Sequence, residues 1–79
     1  MTKFISDKRF PYGDDLIVVC VTADAEGAKV TVSHKKGVII RETLTIGVTS
    51  QAEADIIANQ MAAQAIDYLE AEKKTFEVL

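Results

Sequence analysis

The strongest constraint in this chain is Ser50-Gln51-Ala52-Glu53 followed by residues 54 to 73 without a glycine or proline. The four residues form a capping box, in which the Ser50 hydroxyl accepts from the Glu53 amide and the Glu53 carboxylate reaches back. Asp55 adds negative charge near the helix start and Lys73 and Lys74 add positive charge near its end, as the helix dipole favours. Alanine is abundant in between, so the spacing predicts a helix of six turns to about Lys73. Ala54, Ile57, Ala58, Met61, Ala65, Tyr68 and Leu69 recur at steps of three and four and form the stripe expected to pack on the rest of the chain.

What precedes the helix reads as strands. Leu16-Ile17-Val18-Val19-Cys20-Val21 is an unbroken run rich in β-branched residues, which predicts a central strand covered on both faces, with Cys20 buried and inert. Asp24-Ala25-Glu26-Gly27 carries the residues of a tight reversal. Ala28 to His34 alternates apolar and polar, so one side of that strand meets water. Lys35-Lys36-Gly37 supplies the next turn, and Val38 to Ile46 returns as a third strand. Arg41 and Glu42 interrupt it as a bulge or an edge position does. Residues 1 to 13 place Phe4, Ile5, Phe10 and Tyr12 among charges and read as an arm laid on the core, with a short strand at Thr2 to Ser6 as an option. The tail Thr75 to Leu79 has β-like composition and reads as an added strand or a frayed end. The expected fold is α+β, a three-stranded antiparallel sheet in β-β-β-α order packed against one long C-terminal helix, in a single domain spanning 1–79.

Composition narrows the function classes. With 48% apolar and 27% charged residues the chain belongs with folded proteins. One cysteine and one histidine supply neither an internal disulfide nor a structural zinc site, so no metal or cofactor is expected. The N-terminus lacks the apolar core of a secretory signal and no stretch is long enough to span a membrane, which predicts a soluble, cytoplasmic protein. His34 falls at a hairpin end beside two lysines and reads as a solvated turn residue. No phosphate loop or nucleophile elbow is present, so no catalytic residue, enzyme activity or small-molecule substrate is assigned.

Charge is unevenly placed. Residues 1 to 41 hold seven Lys or Arg against five Asp or Glu, and residues 42 to 79 hold two against seven. Between 51 and 72 stand Glu53, Asp55, Asp67, Glu70 and Glu72 with no Lys or Arg, a pattern that serves solubility or meets a basic partner. On the side of the helix away from the core stripe, Ala52, Ile56, Asn59, Ala63, Ile66 and Glu70 recur at alternating four- and three-residue steps, a heptad seam in which Ala63 permits close approach and Asn59 fixes register.

These features support a non-enzymatic protein-binding module. Ala52, Ile56, Asn59, Ala63 and Ile66 supply the contact, and Glu53, Asp55, Asp67 and Glu70 steer the approach. The partner is another protein or a second copy in a homodimer. A second reading is a small phage or mobile-element inhibitor, anti-CRISPR-like, whose acidic helix blocks a basic nucleic-acid site on a host complex.

The β-β-β-α order with its Ser-capped, Ala-rich helix resembles in outline the C-terminal part of a double-stranded RNA-binding domain, which implies a third reading as an RNA-binding domain using Lys29, Lys35, Lys36 and Arg41. Those domains carry lysines at the helix start, where this chain has Ser50-Gln51-Ala52-Glu53-Ala54-Asp55, and their first helix is absent here. Direct nucleic-acid binding is therefore disfavoured.

Overall fold

The computed structural model describes residues 2–35 and 37–78, with side chains to residue 73. Four strands, β1 (Phe4–Tyr12), β2 (Asp15–Ala23), β3 (Ala28–His34) and β4 (Gly37–Leu44), form an antiparallel meander in the order β1-β2-β3-β4, followed by α1 (Gln51–Val78). The sheet thus has one strand more than the sequence suggests, because the N-terminal arm is a full nine-residue strand paired with β2 from Phe4↔Ala23 to Tyr12↔Asp15.

The reason β1 hides in the sequence lies on the helix. Its inward positions are Phe4, Ser6, Lys8, Phe10 and Tyr12, and the polar pair at 6 and 8 breaks the apolar alternation that marks a strand. Both find the same carboxylate. The Ser6 hydroxyl, only 3% exposed, donates to Asp55 Oδ1 at 2.7 Å, and Lys8 Nζ lies 4.0 Å from that oxygen. Gln51 Nε2 also donates to the Ile5 carbonyl at 2.8 Å, fastening the helix start to the edge strand.

Between the layers the division of volume is unequal. The sheet contributes Ile17, Val19, Val21, Val30 and Val32, all essentially inaccessible, while the helix contributes Ala54, Ala58, Ala62 and Ala65 around one larger side chain, Met61. An alanine face brings the helix close to the β-branched surface below it, and every added carbon on either side is felt. The helix lies mainly over β1 and β2 and reaches β3. Tyr68, placed in the core stripe by its spacing, is 46% exposed and the nearby Glu72 pushes its phenol pKa up; Ile57 and Leu69 pack at the margin.

Among the described residues only one face of the sheet is covered. β2 is an interior strand, but Leu16, Cys20 and Thr22 point to the open side, so the expected double coverage is not found and Cys20 is exposed rather than buried. An unbroken β-branched run therefore marks an interior strand here without marking two buried faces. β4 is an edge strand and carries a bulge as well: Val32 pairs with Ile40 and Ser33 with Val38, leaving Ile39 as the extra residue.

The turns follow local chemistry. Asp24 Oδ1 accepts from the amides of Glu26 (2.8 Å) and Gly27 (3.1 Å), closing the β2–β3 reversal. Lys35 adopts a positive φ of 59° in the β3–β4 turn, while Lys36 lies outside the described residues. Gly47 passes so close to the Ala25 carbonyl oxygen that a Cβ would collide with it, and the Val48 amide donates to the Asp24 carbonyl at 2.8 Å. The β4–α1 connection is pinned to the β2–β3 turn in this way.

At the helix start, the Glu53 amide donates to Ser50 Oγ at 3.2 Å, and the Glu53 carboxylate accepts from the Thr49 amide at 2.8 Å. The helix spans 28 residues, beyond the expected end at Lys73 and through the segment read as a strand or frayed tail. Nothing between 73 and 78 breaks a helix, and extending a formed helix is far easier than starting a new element. Leu79, the last residue of that tail, lies outside the described residues. Among the described residues no helix is long and apolar enough to cross a membrane.

Candidate interaction surface

The seam residues divide once α1 is seated. Ala52, Ile56, Asn59 and Ala63 are exposed on the outer side, Ile56 to 53%. Ile66 instead leans half-buried against the core cluster, because at 3.6 residues per turn a strict seven-residue repeat drifts around the helix. Glu70 is exposed but engaged: the Tyr12 hydroxyl donates to its carboxylate at 3.0 Å, tying the end of β1 to the seventh decade of the chain.

The acids expected to steer a partner carry structural duties too. Glu53 completes the cap. Asp55 accepts from Ser6 and Gln51, and these hydrogen bonds, with Lys8 nearby, hold its carboxyl below the usual carboxylate range. Desolvation and the neighbouring Glu70 push the Tyr12 phenol up. Asp67 is exposed and makes no ion pair among the described residues.

A feature of the helix that the heptad reading missed becomes visible with burial in hand. From Ile56 to Ile66 no residue is charged, yet Ile56, Asn59, Gln60, Ala63 and Gln64 in this stretch all face solvent. At 1.5 Å per residue that is a strip about 16 Å long, bounded by Glu53 and Asp55 at one end and Asp67 and Glu70 at the other. The signal was present as a gap in charge, legible only when the buried half of the stretch is set aside.

The opposite surface of the molecule is the open face of the sheet. Along β1 the residues Ile5, Asp7, Arg9 and Pro11 point there, met by Leu16, Val18, Cys20 and Thr22 on β2. Lys29 and Arg41 lie on this face as near neighbours, while Lys35 sits at the far end of β3, so these three described basic residues do not gather into one hairpin patch. Every aromatic of β1 faces the helix, and no aromatic stands on the open face among the described residues.

His34 is half-buried, not solvated: it closes β3 with its ring edge-to-face on Tyr12, centroids 5.6 Å apart. The Cys20 thiol lies 3.9 Å from Asp7 Oδ1, and desolvation and that carboxylate push its pKa up, which keeps it protonated and a poor nucleophile. One concavity, about 380 Å³, is an open depression at one end of the sheet lined by Lys3, Thr22, Asp24, Lys29 and Thr43 among others. Of the two carboxylates that line it, Asp24 and Glu26, Asp24 serves the turn. Among the described residues no group of three or more His, Cys, Asp or Glu side chains is placed to hold a metal ion. No match to this chain was found among protein-family models, curated proteins or solved structures.

Proposed function

We propose that this chain is a non-enzymatic protein-binding module that works through the outer face of α1. The observation that carries the reading is the uncharged exposed strip from Ile56 to Gln64 on a helix whose flanks are acidic. An exposed helix normally intersperses charges of both signs, and a strip without them desolvates at little electrostatic cost. Ile56 supplies an apolar anchor, Ala63 lets a partner backbone approach, and Asn59, Gln60 and Gln64 offer hydrogen bonds at the margin.

The acidic ends of the strip select the partner. Pairing this face with its own copy sets carboxylates against carboxylates, since residues 51 to 72 contain no Lys or Arg. The complementary surface is therefore a different protein, apolar or polar at its centre and rimmed by Lys and Arg. The same segregation favours, as a second reading, an inhibitor that covers a basic nucleic-acid site on another complex. Among the described residues no base-stacking aromatic stands on the open sheet face, so RNA binding is not proposed.

The test is a tagged pull-down at low and high salt with wild type and with Ile56→Lys combined with Ala63→Lys. Ile66 is left intact because it packs on the core. Loss of a co-purifying protein in the variant, with an unchanged thermal melt, supports the reading, and recovery unaffected by the two lysines overturns it. Steep loss of that protein at high salt points to the inhibitor, since exposed charge pairs are screened within about 10 Å at 0.1 M salt.

A further inference from the structure

We propose that the open face of the sheet is a second interaction surface, on which two copies of this chain stack face to face about a twofold axis parallel to the strands, between β2 and β3. The face carries apolar side chains on two strands, Leu16 (45% exposed), Val18 and Cys20 along β2 and Val38 (48% exposed) on the edge strand β4, with the small polar Thr31 and Ser33 of β3 between them. Its charges stand at the margins: Asp7 and Arg9 on β1, Arg41 on β4, and Lys29 near the end of β3.

The pairing registers supply the decisive geometry. Asp7, Cys20, Thr31 and Arg41 are mutual cross-strand neighbours and form one row across the sheet, with opposite charges at its two ends. A twofold axis along the strands lays β1 of one copy over β4 of the other. Asp7 then faces Arg41 of the second copy, Arg41 faces its Asp7, and Cys20 faces its Thr31. The contact repeats itself reciprocally, as an isologous interface requires. Neither Asp7 nor Arg41 makes an ion pair within the chain among the described residues. The roughly 10 Å between stacked sheets is a gap that an aspartate and an arginine side chain bridge together.

The neighbouring rows agree. Arg9, Val18, Ser33 and Val38 form the next row, so Val18 lies over Ser33 of the second copy, and the Arg9 stem lies along its Val38 with the guanidinium free to reach water at the edge. On the other side, Ile5 falls over Thr43 of the second copy and Thr22 over its Lys29, again with no like charges opposed. An axis across the strands and through that row instead stacks each strand on its own copy and brings Asp7 to Asp7 and Arg41 to Arg41, a repulsive arrangement. Four strands about 4.8 Å apart and about 25 Å long cover roughly 500 Å² per copy. The two copies together bury about 1,000 Å², at the lower limit of a specific interface, so the dimer forms reversibly. Both outer helix faces remain uncovered in this arrangement, and it does not rest on the function proposed for them.

Sedimentation equilibrium over a range of micromolar concentrations tests the proposal, with Asp7→Arg and Arg41→Asp as the two perturbations. Wild type reaches twice the 8.6 kDa chain mass as concentration rises. Each single variant stays at the monomer mass because both of its edge pairs become like-charged. Mixing the two variants one to one restores the doubled mass, since each brings the charge that the other lacks, and this rescue excludes misfolding as the cause of the loss. The double variant D7R/R41D also recovers the dimer. A wild type that stays monomeric throughout overturns the proposal. So does a dimer that survives both single variants, or one that is lost only in Ile56→Lys with Ala63→Lys, which assigns the contact to the helix.

Discussion

Ala58→Leu should destabilise the protein markedly, although it keeps an apolar residue and a good helix former. Ala58 is fully buried and faces the β-branched surface of the sheet in a helix face built of Ala54, Ala58, Ala62 and Ala65. Leucine adds three carbons where the two layers already touch, and overpacking of this kind costs about 1–3 kcal/mol. Helix propensity does not offset it, because leucine is slightly below alanine. A chain of 79 residues has about 4–12 kcal/mol in total at roughly 0.05–0.15 kcal/mol per residue, so the loss is a sizeable part of the whole. Urea unfolding followed by circular dichroism reads it directly. With a slope of about 1 kcal/mol per molar for a small protein, the midpoint should fall by about 1–3 M while the slope stays constant. Ala63→Leu, on the exposed side of the same helix, is the control and should change stability by no more than about 0.5 kcal/mol. Met61→Ala perturbs the same layer in the opposite sense, and the cavity should cost about 2–5 kcal/mol. A midpoint for Ala58→Leu indistinguishable from wild type, or an equal loss from Ala63→Leu, would refute the close helix-on-sheet contact from which the estimate follows.

Two further outcomes follow from the connections between elements. Asp55 has a carboxyl pKa lowered in the folded state, so its contribution to stability is complete above the unfolded carboxylate pKa and is lost as pH falls through the folded one. The stability difference between wild type and Asp55→Asn should therefore be constant at neutral pH and shrink on acidification below about pH 4, and a difference that does not shrink there would assign Asp55 no role in the acid limb. Gly47→Ala places a Cβ against the Ala25 carbonyl oxygen and should displace the loop that the Val48 amide anchors. A loss of about 1–3 kcal/mol is expected, visible as a melting temperature lower by several degrees, and an unshifted melt would show that the loop has slack.

The open sheet face and the outer helix face give the molecule two surfaces of different character. The helix strip is uncharged with acidic ends and suits a partner rimmed with basic residues. The sheet face carries both signs at opposite edges of one row and suits a second copy of itself. A sheet-to-sheet dimer would display two helix strips pointing away from each other, and so turn a module with one docking face into a bivalent one.

What the sequence determines by itself in this protein is local. The capping box at Ser50 to Glu53, the Asp24 to Gly27 reversal and the alternation of β3 all appear in the structure, because each is set by bonds or spacings within a few residues. The alanine stripe of α1 is legible for the same reason, apart from Tyr68 and the drifting seam position Ile66. Tertiary structure alone decided the rest. β1 is a strand because Ser6 and Lys8 meet Asp55 across 49 and 47 residues of sequence, and no local pattern announces that partner. Cys20 is exposed because one helix covers one face of a sheet, and a run of β-branched residues does not say whether a second layer exists. The charge row from Asp7 to Arg41 is likewise invisible in the sequence, since it comes into being only when four strands pair in register and bring together residues that the chain keeps far apart.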